Sequence, residues 1–266
     1  MSVNSYLEGL ASKLIITDSE RTIIDNHIIS LEKKIVDFFK ENKIEILEHF
    51  DFGSYTRKTL MPRKADPYSD VDYMIVFKDT GYAPNTYLDR LRRFAEKKYT
   101  TSEIYRSHPT IVLELSKIII ELVPATKTAW DDYQIPAPAS DYTKWLTTHP
   151  HDFKDKVTKK NTAEKSKIRP LIRLLKYWNA QNNYVYTSYE LENLIVNDWY
   201  FGTVTLWDYL YSFASSLSTS SLVKHKAEKV NRLKDICETA KKIEKGGSII
   251  APILSESEIQ KAFPAY

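Results

Sequence analysis

Scarcity narrows the possibilities first. Cys237 is the single cysteine among 266 residues, which excludes an intrachain disulfide and any zinc cluster built from cysteines. There are only six glycines. Asp51-Phe52-Gly53 has the look of a kinase metal-binding triplet, but no glycine-rich loop or His-Arg-Asp segment accompanies it, and that reading fails. No Walker sequence and no Gly-x-Ser-x-Gly elbow occurs. No apolar run approaches the roughly 20 residues that span a bilayer. The opening Met-Ser-Val-Asn-Ser-Tyr-Leu-Glu lacks the basic and then apolar regions of a secretory leader. A cytoplasmic, reducing location without a membrane partner is the expectation.

One-sided charge is missing too. Lys and Arg number 38 against 35 Asp and Glu, a net +3, too little for a general nucleic-acid coat, so no stable nucleic-acid partner is expected. The distribution is less even than the total. Lys154, Lys156, Lys159, Lys160, Lys165, Lys167, Arg169, Arg173 and Lys176 crowd one stretch. They form either a solvated helix face or a local positive field that draws nucleoside triphosphates.

Periodicity orders the chain. The first 50 residues read as helix, the pattern shortening toward a strand from Ile44, with a capping box at Thr17-Asp18-Ser19-Glu20 and a core stripe of Ile24, Ile28, Leu31, Ile35 and Phe38. A strand from 44 to 52 runs into Gly53-Ser54, residues 55–60 start a helix, and 61–69 form a loop. Ser69 to Phe77 is a strand, and Pro84 opens a helix at its tolerated first turn. Thr110–Leu115 and Lys117–Val123 read as an antiparallel hairpin about Ser116. The segment 126–160, with Pro136, Pro138 and Pro150, reads mostly as loop. Helices are expected at 162–182, kinked or truly begun at Pro170, and at 187–200, 203–216 and 225–245. The fold class is therefore α+β: a mixed sheet with flanking helices over residues 1–160, and an α-helical lobe over 161–266.

The chemistry concentrates in the sheet. Side chains alternate along a strand, so Asp70 and Asp72 share one face while Val71 and Tyr73 take the other. Two acids on one face repel unless a base, water or cation separates them. Mg²⁺ is a natural third party, bound by one or two carboxylates plus substrate phosphates. Glu121, inside Ile118-Ile119-Ile120-Glu121-Leu122-Val123, is a third acid in a strand that is otherwise apolar. An unpaired buried charge is costly, so it pairs with a base or joins a metal site. Asp70, Asp72 and Glu121 together can hold two divalent ions about 3.5–4 Å apart, the spacing of in-line phosphoryl transfer. Gly53 and Ser54 offer a phosphate seat between strand and helix, where backbone amides approach an anion closely. His149-x-His151 has no third soft ligand nearby and reads as exposed loop.

Gly53-Ser54, Thr59, Asp70-x-Asp72 and a third acid before Val123-Pro124-Ala125 resemble the polymerase-β-type nucleotidyltransferase superfamily. Within it the likeness is to the bacterial cGAS/DncV-like enzymes, whose core is the SMODS domain, and to the animal oligoadenylate synthetases. The segment from Arg169 to Asn179, containing Lys176, is similar to that family's lysine helix. Ser188-Tyr189-Glu190-Leu191-Glu192 is similar to its Ser-Tyr/Phe-x-Leu-Glu segment. Tyr133-x-Ile135-Pro136 with Trp145 and Pro150, and Phe263-Pro264, also fit, so the resemblance spans roughly residues 45–264. One position departs: the third acid is usually aspartate.

The resemblance implies a polymerase-β-like core and assigns roles. Asp70, Asp72 and Glu121 would bind two Mg²⁺ ions, with Mn²⁺ as a substitute. Gly53 and Ser54 would hold donor β- and γ-phosphates, Lys176 and Ser188 would reach the triphosphate, and Tyr189 would stack on a base. The implied activity joins nucleoside triphosphates, ATP or GTP among them, into a cyclic di- or trinucleotide or a short oligonucleotide. Pyrophosphate leaves, and the product signals to a downstream effector in anti-phage defence. Two alternatives stand beside it: nucleotidyl transfer to tRNA, protein or a small molecule, and a catalytically weak nucleotide sensor.

Overall fold

The computed structural model describes residues 2–107, 109–137 and 144–266; Pro138 lies outside them. It divides into two compact units, one of Thr17–Arg63 with Pro67–Asp155, the other of Met1–Ile16, Lys64–Asp66 and Lys156–Tyr266. This grouping differs from the linear division at 160/161. The first helix and three residues of the 61–69 loop cluster with the C-terminal helices.

Two helices occupy the expected N-terminal helical region. Helix α1 (Val3–Lys13) ends at Leu14, and α2 (Asp18–Glu41) starts at the predicted box. There Thr17 Oγ1 accepts from the Glu20 amide at 3.2 Å while the Glu20 carboxylate accepts from the Thr17 amide at 2.7 Å. Both orphan donors are thereby satisfied.

Strand β1 (Ile46–Phe52) leads into the short helix α3 (Gly53–Arg57), two residues earlier than the spacing predicts. Strand β2 (Asp70–Phe77), helix α4 (Pro84–Lys98), β3 (Glu103–Ser107), β4 (Thr110–Glu114) and β5 (Ile119–Lys127) follow. Next come β6 (Tyr133–Pro136), β7 (Trp145–Thr148) and helix α5 (Pro150–Ala163). Among the described residues these strands make a seven-stranded sheet of order β1-β2-β5-β4-β3, with β6 on the end of β5 and β7 on β6. The expected hairpin is present, β4 against β5, closed by Leu115 N–H donating to Ile118 O at 2.9 Å. Strand β2 runs parallel to β5 and antiparallel to β1. The sheet is therefore mixed, as expected.

Alternation then decides what each face meets. Val71, Tyr73, Ile75 and Phe77 are all buried. Phe77 meets Phe39 of α2 and Tyr87 of α4 at ring separations of 5.4 and 5.2 Å. Each such fully buried side chain contributes about 1.5–3 kcal/mol of transfer free energy. The helices thus cover the odd-numbered face and leave Asp70 and Asp72 on the other. Farther along that second face Met74, Val76 and Ala125 form a small core with Phe50, Phe52, Tyr133 and Ile135.

The segment read mostly as loop over 126–160 is instead β6, β7 and α5. Tyr133 to Pro136 pair with Trp145 to Thr148, a tertiary contact that no local periodicity announces. Proline starts α5 at Pro150, its tolerated position.

The second unit is helical: α6 (Ile168–Gln181), α7 (Ser188–Asn197), α8 (Leu206–Ser216), α9 (Lys224–Lys245) and α10 (Ala251–Gln260). Pro170 falls in the first turn of α6 and marks its true start. Lys165 and Ser166, with φ of 49° and 63°, separate α5 from α6, so the lysine-rich stretch lies on two helices rather than one. Helix α1 buries Val3, Leu7, Leu10 and Ala11 against α6 and α8. Tyr6 donates to the Phe263 carbonyl at 2.7 Å and closes the C-terminal segment onto α1.

Candidate active site

Strand pairing in the core unit assembles the acids. Asp72 is the register partner of Glu121 across the parallel β2–β5 pair, and Asp70 partners Ile119. Parallel neighbours in register point the same way, so Asp70, Asp72 and Glu121 share a face, each half-buried. Thr110 of β4, itself buried, hydrogen-bonds to Glu121. Burial above all, then the Asp70 charge, pushes the Glu121 carboxyl up to about 7; a hydrogen bond with Asp70 adds to the rise and the Thr110 bond opposes it. Two carboxyl groups held this close favour one proton between them or a cation.

Gly53 sets how closely the turn approaches. Phe52 is the register partner of Asp72, and the chain turns into α3 at Gly53 with φ +71°. A Cβ built on Gly53 would lie 1.7 Å from Asp72 Oδ2. Only glycine admits both the left-handed backbone and this carboxylate. Ser54 is buried at 6% exposure, and its carbonyl accepts from the Thr59 and Leu60 amides at 2.9 and 3.1 Å. The turn is thus a closed, rigid loop packed on the acid face. Arg57 at its end is buried, with its guanidinium 5.1 Å from the Phe153 ring.

The residues can be weighed against a divalent cation. Three hard carboxylate donors on one face, one of them with raised proton affinity, suit Mg²⁺ chemically. They are not a preassembled cage, since among the described residues no three Asp, Glu, His or Cys side chains stand ready to grip an ion. The donor set fits the metal; its final positions would depend on binding.

The other three expected residues belong to the helical unit. Lys176 of α6 is buried, and its Nζ lies 3.7 Å from Glu192 Oε1 of α7, with side-chain exposures of 6% and 0%. A buried ion pair of this kind depends on both partners. Ser188 and Tyr189 open α7 and are exposed, Tyr189 at 58%. Thr187 and Glu190 cap that helix reciprocally, which holds its first turn in place. Reading the sequence missed Thr110 as the partner of Glu121, because the two are close only across strands. Glu192 lies on the buried side of α7 with Leu191 and Ile195, and an acid at such an apolar position was the available signal for its pairing with Lys176.

The profile of the Second Messenger Oligonucleotide or Dinucleotide Synthetase domain, SMODS, matches residues 1–161. The chain belongs to the SMODS family. A probable cyclic nucleotide synthase of Bacillus cereus (strain VD146) is 28% identical over 221 residues, 67% of this chain and 64% of that relative. The chain thus aligns with less than two thirds of that curated relative's length. Among solved structures, Escherichia coli MS115-1 CdnC with ATP superposes with a TM-score of 0.76 at 12% identity, covering 100% of this chain and 98% of CdnC. CdnG, a CD-NTase of Bradyrhizobium diazoefficiens in complex with GTP, gives 0.71 at 11% identity over 98% of both chains. Vibrio cholerae DncV gives 0.63 at 13% identity, over 98% of this chain and 79% of DncV. These likenesses establish the fold of a SMODS chain as the polymerase-β-like core with its helical lobe.

Proposed function

We propose that this SMODS protein is a metal-dependent nucleotidyltransferase. It would join nucleoside triphosphates into a cyclic di- or trinucleotide, or a short oligonucleotide, and release pyrophosphate. The observation that carries the reading is the convergence of Asp70, Asp72 and Glu121 on one sheet face, with Gly53 packed so closely that no side chain fits beside Asp72. Family membership and the printed name of the Bacillus cereus relative support it. So do the ATP- and GTP-bound neighbours CdnC and CdnG.

In this reading Asp70, Asp72 and Glu121 hold two Mg²⁺ ions. When bound, such ions lower the pKa of an attacking hydroxyl and neutralise charge on the triphosphate. A ribose hydroxyl oxygen forms the new bond to the α-phosphorus, the bond to the β-phosphate oxygen breaks, and pyrophosphate carries away the electron pair. Gly53 and Ser54 orient the donor phosphates, and the rigid turn holds them against the acid face. The raised proton affinity of Glu121 belongs to the metal-free face; as a ligand its carboxylate would be ionised. Lys176 and Ser188 supply charge and a hydroxyl toward the triphosphate, and Tyr189 a ring on which a base stacks. Among the described residues no helix is long and apolar enough to cross a membrane, compatible with the cytoplasmic role in anti-phage signalling that we assign.

The test is incubation of the full chain with Mg²⁺ or Mn²⁺ and all four labelled triphosphates, with products read by mass spectrometry. A phosphodiester-linked nucleotide and free pyrophosphate are expected, both abolished by Asp70→Ala with Asp72→Ala. Label that stays on a macromolecule, or turnover that survives both substitutions, would refute the assignment.

A further inference from the structure

Outside the residues already considered, the helical unit carries a cationic cleft of about 190 Å³. It lies where the C-terminal end of α6 meets α9 and the segment after α10. Lys229 and Arg232 line it from α9, Lys261 from the chain end, and the Gln181 and Asn182 carboxamides from the end of α6. Among the described residues no Asp or Glu lines it. Trp178, with 2% exposure, gives it an apolar floor.

The cationic lining points to an anion. Lys229 and Arg232 are three apart on one helix, where like charges repel, and a bound anion removes that cost. Arg232 has no ion-pair or hydrogen-bond partner among the described residues, so its five N–H donors are available. Lys229 is already fixed, donating to the Asn182 carbonyl at 2.7 Å, which orients its two remaining N–H groups. Lys261 is bonded to Glu258 at 2.5 Å and contributes less than a full charge. Arg232 is exposed and Lys229 half-buried, so solvent screens part of the charge they supply, and the apolar floor of Trp178 shields only the inner side of the cleft.

Size selects among anions. Sites that bury drug-sized ligands measure about 300–1,000 Å³, so this cleft is too small to enclose a whole nucleotide. We propose that it binds a small phosphate anion: phosphate, pyrophosphate, or the terminal phosphates of a nucleotide whose nucleoside stays outside. The planar guanidinium matches a phosphate edge in bidentate fashion. The site draws on no residue assigned to catalysis, so it stands or falls independently of the proposed reaction.

Calorimetric titration of the full chain in EDTA at constant ionic strength tests this, with pyrophosphate, inorganic phosphate and ATP as probes. One saturable pyrophosphate site is expected, weakened about tenfold or more by Arg232→Ala and lost in Arg232→Glu. It should be unchanged by Asp70→Asn with Asp72→Asn, with melting curves confirming that each variant folds. ATP equal to pyrophosphate identifies the terminal phosphates as the ligand, whereas ATP weaker than pyrophosphate identifies the free anion. Absence of saturable binding at millimolar pyrophosphate overturns the proposal. So does binding that Arg232→Ala leaves intact, which would make α9 a solvated basic face and nothing more.

Discussion

Replacing Glu121 by glutamine separates the chemistry of the acid face from its packing. The two side chains have nearly the same shape, but glutamine cannot ionise. Without divalent cations, Glu121 sits at about 7 rather than 4.5, a proton affinity raised about 300-fold, or about 3 kcal/mol. Its folded-state pKa lies above its unfolded value. The stability contributed by the protonated form is therefore complete below about pH 4.5 and is lost as pH rises through about 7. Glutamine keeps the neutral state throughout. In urea denaturation with EDTA, Glu121→Gln and the parent protein should be nearly equal at pH 4.5, and the variant should gain with pH. By pH 8.5 it should be more stable by up to about 3 kcal/mol, the other titrating groups cancelling between the two proteins. Mg²⁺ should stabilise the parent strongly at high pH and the variant much less, while nucleotidyl transfer should fall at every pH. A stability difference that is flat with pH, or a variant that is less stable at pH 8.5, would refute the picture of a carboxyl crowded by burial and Asp70.

Other outcomes follow from the same geometry. Gly53→Ala must place a Cβ 1.7 Å from Asp72 Oδ2 at a φ of +71°; displacement of the carboxylate should cut turnover about 100-fold, with about 1–2 kcal/mol of backbone strain in the melting curve. Glu192→Ala leaves Lys176 without its buried carboxylate and should cost about 3–5 kcal/mol in denaturant, much of it restored by Lys176→Met with Glu192→Leu. Thr110→Val removes the hydrogen bond that opposes protonation of Glu121, so in EDTA the pH range over which the protonated form's stability is lost should move upward, as urea denaturation across pH would show. Thr17→Ala breaks the capping box of α2 and should lower stability by about 1 kcal/mol without changing turnover per folded molecule.

Several features were legible because their causes are local. The α2 cap, the β4–β5 hairpin and the shared face of Asp70 and Asp72 follow from spacing of two, three or four residues. Pro170 signalled either a kink or a start, and α6 begins two residues before it, at Ile168. Strands β6 and β7 escaped notice because each has only four residues, and their pairing partners lie across a proline-bearing gap. Strand β3, mostly exposed and charged, carries no alternating signal and exists because β4 offers an edge. Helix α10 begins without a side-chain cap, and only Pro252 in its first turn marks its start.

By itself, the sequence determined the donor chemistry and the class of fold. Asp70 and Asp72 face one way in any strand, and Gly53 accepts a backbone that other residues resist. Tertiary structure decided which groups meet. Parallel pairing of β2 with β5 puts Glu121 beside Asp72, and β4 brings Thr110 to it. The packing of α6 on α7 surrounds Lys176 and gives its ammonium the Glu192 carboxylate. Such contacts join residues far apart along the chain. Their energies depend on burial and distance, which residue spacing along one strand or helix does not encode.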